Sequence, residues 1–193
     1  TQEIMLILKD LKYNMWVDGM GKTISRLYLD RPEYIRNVKA LKAAKRKFNE
    51  VRTPQDRYRA RREAQVIVTT GGMLDGGPVL SYIDDVKNDS KSAVLLSGFQ
   101  VEGSNGNMLL NEGVINVQAS KEEIPHPVRI KCEVKKFDLS AHADHAELLA
   151  FVRACKPEKV VIMHSDDREP LARDIEQDGI KVLLPKTDEE IEI

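Results

Sequence analysis

Two short apolar runs, each followed by glycines and then by a helical pattern, constrain the fold of this sequence most strongly. Residues 65–70 form a β-branched run that ends in Gly71 and Gly72, and apolar residues then recur at helical spacing up to Val86. Residues 93–99 repeat this order ahead of a helix expected over 104–110. Brief β-branched runs are typical of buried strands. The sequence therefore predicts an α/β fold with a parallel sheet covered by helices.

A polar segment divides the chain. Residues 120–127 are rich in charge and are interrupted by Pro125 and Pro127, which predicts two domains, 1–120 and 121–193. The remaining predicted elements are helices over 3–11, 23–29 and 170–177, and strands over 15–17, 128–135, 159–163 and 180–184.

Charge is balanced overall and uneven locally. The chain has 30 Lys and Arg against 31 Asp and Glu, a formal net charge of −1, which excludes a uniformly basic polyanion binder. Residues 31–62 nevertheless contain twelve Lys or Arg and three acids. Lys39, Lys42 and Arg46 fit one exposed helix face. This stretch is compatible both with a solvated helix surface and with a nucleic-acid contact.

Several classes of protein are disfavoured by composition. No apolar run approaches the roughly 20 residues that span a bilayer, and the first residues lack a secretion signal. Cys132 and Cys155 lie far apart and outside any CxxC pair, which argues against a disulfide framework or a cysteine-rich zinc site. With 41% apolar residues a packed core is expected. These features predict a cytoplasmic protein with no membrane partner.

The two glycine-rich turns are candidate phosphate sites. One covers residues 71–78, and the other contains Gly103, Ser104 and Gly106. Each follows a strand and opens a helix, where unpaired backbone N–H groups and the helix dipole favour anions. The alternative is that these glycines only permit tight turns.

Histidines mark a second candidate site. His142 lies between a strand and a predicted helix, and His164 follows the strand over 159–163. Imidazoles at the carboxyl ends of neighbouring strands can act as general acids or metal ligands. The segment from Ser140 to His145 also resembles the metallo-β-lactamase signature HxHxDH with its first histidine replaced by serine, which would make His142, Asp144 and His145 zinc ligands. Asp144 is better explained as a helix cap paired with Glu147.

Four ordered motifs together resemble one family. They are the segment from Val66 to Pro78 (VIVTTGGMLDGGP), the segment from Ser97 to Gly106 (SGFQVEGSNG), the segment from Phe137 to Asp144 (FDLSAHAD), and Val160 to His164 (VVIMH). This order and spacing resembles the β-CASP metallo-β-lactamase nucleases, which include the cleavage and polyadenylation specificity factor endonuclease, its archaeal homologues and the RNase J enzymes.

The resemblance implies a fold and a set of site residues. A partial β-CASP domain would precede the return of the chain into an αββα metallo-β-lactamase fold. His142 would donate a proton to the leaving oxygen, and His164 would bind one of two zinc ions. The expected contacts to the phosphates of single-stranded RNA are Gly103, Ser104, Gly106 and Ser140. Ser165 departs from the family, which usually has glycine after the metal histidine. A homodimer is also implied.

The family's remaining zinc ligands precede the point that Thr1 matches. The resemblance thus implies that the chain is the C-terminal part of a zinc-dependent ribonuclease of mRNA 3′-end processing or RNA decay, inactive by itself because it supplies only one or two ligands. Two other functions remain open. One is a non-catalytic module that binds RNA or a partner through residues 31–62, and the other is a small-molecule metallo-hydrolase.

Overall fold

A computed structural model describes residues 1–118, 124–139, 142–165 and 167–191. It divides into two compact units, Thr1–Leu139 and Ser140–Ile193. Within the described residues, no helix is both long and apolar enough to cross a bilayer. Each unit is built as described below.

The first sheet of the larger unit is parallel, as predicted. Its central strand β1 (Met15–Asp18) pairs with β2 (Phe48–Glu50) on one side and with β3 (Val66–Thr69) on the other. Four helices accompany it, α1 (Gln2–Leu8), α2 (Gly21–Asp30), α3 (Val38–Lys47) and α4 (Pro54–Glu63), together with a short 3₁₀ helix, Pro32–Tyr34. The buried cluster between sheet and helices is apolar: Met5, Met15, Val17, Ala44, Phe48 and Val68.

Local sequence explains where two of these helices begin. The Asn37 side chain accepts a hydrogen bond from the Ala40 N–H at 2.9 Å and caps α3. Thr53 and Asp56 form a reciprocal capping box at the start of α4, and Pro54 occupies the first turn, where no backbone N–H is needed.

The rest of the larger unit contains two separate strand pairs. β4 (Ala93–Leu96) runs parallel to β7 (Glu133–Lys136), and β5 (Val114–Val117) runs antiparallel to β6 (His126–Arg129). Helices α5 (Val79–Val86) and α6 (Asn105–Glu112) accompany them. Their shared core contains Leu74, Ile83, Val94, Leu96, Leu109, Ile115, Ile130 and Cys132.

Three details differ from the sequence prediction. The runs over 65–70 and 93–99 lie in different sheets, and β4 ends at Leu96. β4 also alternates buried and exposed residues, so that Leu95 is 59% exposed where a fully buried strand was expected. The single strand predicted over 128–135 is two strands, because the chain changes partner between β6 and β7 and turns Ile130 and Cys132 into the core.

The smaller unit is a β–α–β arrangement with an additional helix. α7 (His145–Cys155) precedes β8 (Lys159–Val161), and α8 (Glu169–Gln177) connects β8 to the parallel strand β9 (Lys181–Leu183). The helix and strand predicted at the end of the chain are confirmed. Arg153 of α7 pairs with Asp178 after α8 at 2.6 Å, which holds the two helices together.

The compact units divide between Leu139 and Ser140, nineteen residues after the predicted boundary. β6 and β7 lie beyond residue 120 but pair with β5 and β4, so they belong to the larger unit. The assignment of residues 121–193 to a metallo-β-lactamase domain stays a prediction.

Candidate functional site

His164 stands on a loop that the structure fixes from both sides. β8 ends at Val161, and the Ile162 N–H still donates to the Leu183 carbonyl at 3.1 Å. The Arg168 guanidinium donates to the carbonyls of Ile162 and Pro185 at 3.2 and 2.7 Å. Ile162 before the histidine and Arg168 after it are therefore both held by hydrogen bonds.

The backbone of His164 is strained. Its φ is +61°, in the left-handed region, which costs a residue with a Cβ about 1–2 kcal/mol. Its side chain is exposed. Leu74, Lys156 and Asp188 share this backbone region, and Lys156 does so as the C-cap of α7. The conformation by itself therefore assigns no role to His164.

His142 is also exposed and lies in the same compact unit, three residues before α7. Ser140, the predicted RNA contact beside it, lies outside the described residues. The expectation that His142 and His164 belong to one site stays a prediction.

The neighbours of His142 are used to build α7. An Asp144 carboxylate oxygen accepts from the Glu147 N–H at 2.8 Å, and Glu147 accepts from the Asp144 N–H at 3.1 Å. The capping box predicted from their spacing is confirmed. His145 Nε2 lies 2.7 Å from a carboxylate oxygen of Asp174. Two of the three members of the alternative zinc signature, Asp144 and His145, therefore have protein partners in α7 and α8.

A structural zinc ion has four protein ligands, and a catalytic zinc ion has three together with an open position for water or substrate. Among the described residues, no group of three or more His, Cys, Asp or Glu side chains could hold a metal ion. The described donors alone thus do not fit a zinc site, and His164 would supply one ligand of a shell that needs others.

The second glycine-rich turn is held by the protein itself. Ser104 Oγ accepts from the Asn107 N–H at 3.2 Å and donates to the Val101 carbonyl at 2.6 Å. The next two N–H groups, of Asn105 and Gly106, donate to Asp75 Oδ1 and to the Met73 carbonyl, both at 2.8 Å. The expectation of unpaired N–H groups at the start of α6 is therefore wrong for residues 105–107.

Packing explains why residue 106 is glycine. A Cβ there would lie 1.7 Å from Gln100 Oε1 and 3.3 Å from the Met73 carbonyl oxygen. Gln100 is 6% exposed, and its Oε1 has no hydrogen-bond partner within the described residues. Gly103, by contrast, is exposed with φ +78° and nothing near its missing Cβ. The role of Gly103, Ser104 and Gly106 as RNA contacts stays a prediction.

Sequence reasoning did not identify Asn105 as a structural residue. Its buried side chain donates to the carbonyls of Leu74 and Asn116 at 3.0 and 2.9 Å and accepts from the Asn116 N–H at 2.6 Å. It thereby ties the first glycine turn to α6 and β5. Its partners are distant in sequence, so no local pattern could have indicated this role.

A buried carboxylate cluster was also missed. Asp18, at the end of β1, is 1% exposed and accepts from Tyr82 Oη and Arg57 Nε, both at 2.8 Å, and from the Gly19 N–H at 2.7 Å. Lys22 Nζ lies 3.3 Å from the same carboxylate. Burial by itself raises the pKa of Asp18, but the hydrogen bonds from Arg57, Tyr82 and Gly19 outweigh it and lower the pKa. The one local signal was an aspartate that ends an apolar strand before a glycine.

The arrangement of two glycine turns in one unit and two exposed histidines in the next can now be compared with known families. Residues 1–109 match the Beta-Casp domain, and residues 127–185 match a Zn-dependent metallo-hydrolase RNA specificity domain. The first match covers more than half of the chain, and the chain therefore belongs to the Beta-Casp family.

Individual relatives agree with this assignment. RNase aCSPSF2 of Saccharolobus solfataricus is 33% identical over all of this chain and 39% of its own length. Probable RNase MJ4 of Methanocaldococcus jannaschii is 32% identical over all of this chain and 46% of its own length. Transcription termination factor FttA of the same organism is 28% identical over 89% of this chain and 30% of its own length. The chain thus spans less than half the length of these relatives.

Proposed function

We propose that this chain is part of a metal-dependent ribonuclease that hydrolyses RNA phosphodiesters. One observation carries the proposal: residues 127–185, which include His142 and His164, match an RNA specificity domain of zinc-dependent metallo-hydrolases. The names of the two relatives that cover the whole chain, both ribonucleases, support it.

His164 is proposed as a zinc ligand and His142 as the proton donor to the leaving oxygen. The exposed position of His164, three residues after β8, supports its assignment. A neutral imidazole is a common zinc ligand. The other ligands are proposed to lie in the part of the protein outside this chain, which covers 39% and 46% of the length of its two ribonuclease relatives. When bound, two zinc ions would polarise the phosphate and generate the attacking hydroxide.

The experiment is RNA cleavage by the full-length product of the gene, assayed on end-labelled single-stranded RNA with and without a chelator. We expect a chelator-sensitive activity that His142→Ala lowers by about 10²–10⁴-fold, the range for loss of a general acid. His126→Ala is the matched control, because His126 is an exposed histidine on β6 in the other compact unit.

Two results would contradict the proposal. RNA cleavage that continues in the presence of the chelator would exclude a metal-dependent reaction. Cleavage by His142→Ala at the wild-type rate would exclude a role of His142 as proton donor. RNA that is bound but never cut would favour the alternative of a non-catalytic binding module. Hydrolysis of thioesters or β-lactams without RNA cleavage would favour a small-molecule metallo-hydrolase.

A further inference from the structure

The surface of α3 is unusually basic. The helix contains five cations and no acid, and its buried residues are Leu41 and Ala44. Lys39, Lys42 and Arg46 are all exposed, so the exposed helix face predicted from their spacing is confirmed. Residues three and four apart lie on one side of a helix. These three side chains therefore form a single positive stripe, here called the α3 stripe.

Several cations elsewhere in residues 31–62 are paired with acids, whereas those of the α3 stripe are not. Arg57 pairs with Asp18, Arg61 with Asp85 and Arg59 with Glu63. Within the described part of the chain, none of the three side chains of the stripe has an ion-pair partner. Like charges three or four residues apart destabilise a helix. The stripe thus retains a repulsion that the fold does not compensate.

The stripe borders a groove between α3 and β2. This groove has a volume of about 420 Å³, and four cations line it, Lys42, Lys45, Arg46 and Arg52, with one acid, Glu50. Lys45 and Arg52 both contact the Glu50 carboxylate. Burial raises the pKa of Glu50, but the hydrogen bonds from Lys45 and Arg52 have the larger effect, and the pKa lies below its ordinary value. This carboxylate is therefore ionised at neutral pH. Four cations against the single negative charge of Glu50 leave the groove with a net positive charge.

Helix stabilisation does not account for this pattern. Cations in the last turn of a helix interact favourably with its dipole, which explains Lys45, Arg46 and Lys47. Lys39 lies in the first turn of α3, where positive charge opposes the dipole, and Lys42 lies outside the turns in which the dipole acts. The dipole therefore does not explain these two cations.

We propose that the α3 stripe and the adjoining groove bind the phosphodiester backbone of single-stranded RNA without reading its sequence. The choice of RNA over another polyanion rests on the proposed function. Lysine and arginine contacts to phosphates release counterions and give affinity that falls with salt. The groove would hold the strand by charge, since its aromatic side chain, Phe48, is buried.

The test compares the full-length protein with the double variant Lys42→Gln/Arg46→Gln by fluorescence anisotropy with labelled single-stranded RNA over a salt series. A plot of log K against log salt has a negative slope, and each lost phosphate contact reduces its magnitude by about 0.7 for a single strand. We expect the variant's slope to be smaller in magnitude by about 1.4, and its affinity at about 0.1 M salt to be roughly 25-fold weaker.

The control is Lys91→Gln/Lys131→Gln, which removes two exposed cations of the same compact unit outside α3. It should bind RNA with nearly the wild-type slope. Thermal unfolding should show that both double variants remain folded. Equal losses in the two variants, or unchanged binding by the α3 variant, would overturn the inference. So would an α3 variant that binds RNA normally but loses affinity for a polyglutamate peptide.

An RNA cleavage assay distinguishes this inference from the proposed function. At saturating RNA, the α3 variant should cut at the wild-type rate while needing more RNA to reach it. A wild-type protein that binds with the expected slope but never cuts would refute the ribonuclease proposal and leave the α3 inference intact. A protein that cuts, with α3 variants of unchanged affinity, would refute the inference alone.

Discussion

Tyr82→Phe removes one hydroxyl from the cluster around Asp18 and leaves the ring in place. Tyr82 Oη donates to the buried carboxylate at 2.8 Å, and Arg57 Nε remains bound to the same oxygen in the variant. A hydrogen bond to a charged group contributes about 1.5–3 kcal/mol. Because the carboxylate keeps its other donors, we expect a loss of about 2 kcal/mol in the free energy of unfolding.

The assay is urea unfolding at several pH values. At neutral pH the loss corresponds to a decrease in melting temperature of about 4–8 °C for a chain of this size. The pKa of Asp18 lies below its ordinary value in the folded protein. The stability that its ionised form contributes is therefore complete above the unfolded pKa, near 4, and is lost as pH falls through the folded pKa. The difference between wild type and variant should shrink in acid.

Tyr58→Phe is the matched control. Tyr58 is 61% exposed, and its hydroxyl accepts from Arg62 on the surface of α4. We expect a change within about 0.5 kcal/mol. A Tyr82→Phe variant as stable as this control, or a loss that does not depend on pH in acid, would refute the reasoning about the buried carboxylate.

Two further predictions concern the turns. Gly106→Ala should destabilise the protein by about 1–3 kcal/mol through overpacking against Gln100. In urea unfolding, the double variant Gly106→Ala/Gln100→Ala should lose less stability than the sum of the two single variants. Strictly additive losses would contradict the contact. Asp144→Ala should lower the free energy of unfolding by about 1 kcal/mol because it removes the α7 cap, whereas Asp144→Asn should lower it by only a few tenths. If Asp144→Asn unfolded normally but lost bound zinc, this residue would instead be a ligand.

Local signals in the sequence were sufficient for several elements and for one cap, but they did not reveal β2, α4 or the caps of α3 and α4. The three-residue spacing of Asp144 and Glu147 predicted the start of α7, and the β-branched run after residue 65 predicted β3. Such features depend on neighbours along the chain, so composition and period reveal them.

Strand pairing could not be predicted in the same way. The parallel pairs β1–β3 and β4–β7 join residues far apart, and the pattern over 128–135 did not indicate a change of partner between β6 and β7. Asn105 and Gln100 were missed for the same reason, since their roles depend on the approach of two turns. The site histidines followed from motif resemblance, whereas the left-handed backbone of His164 could be seen only in the structure.

Bound zinc per chain, measured by mass spectrometry on the full-length protein, tests the central claim most directly. We predict that His164→Ala loses zinc, because this imidazole would be a ligand. His142→Ala should retain wild-type zinc, because its proposed role is proton donation. Zinc content in His164→Ala equal to that of wild type, with the protein folded, would contradict the account.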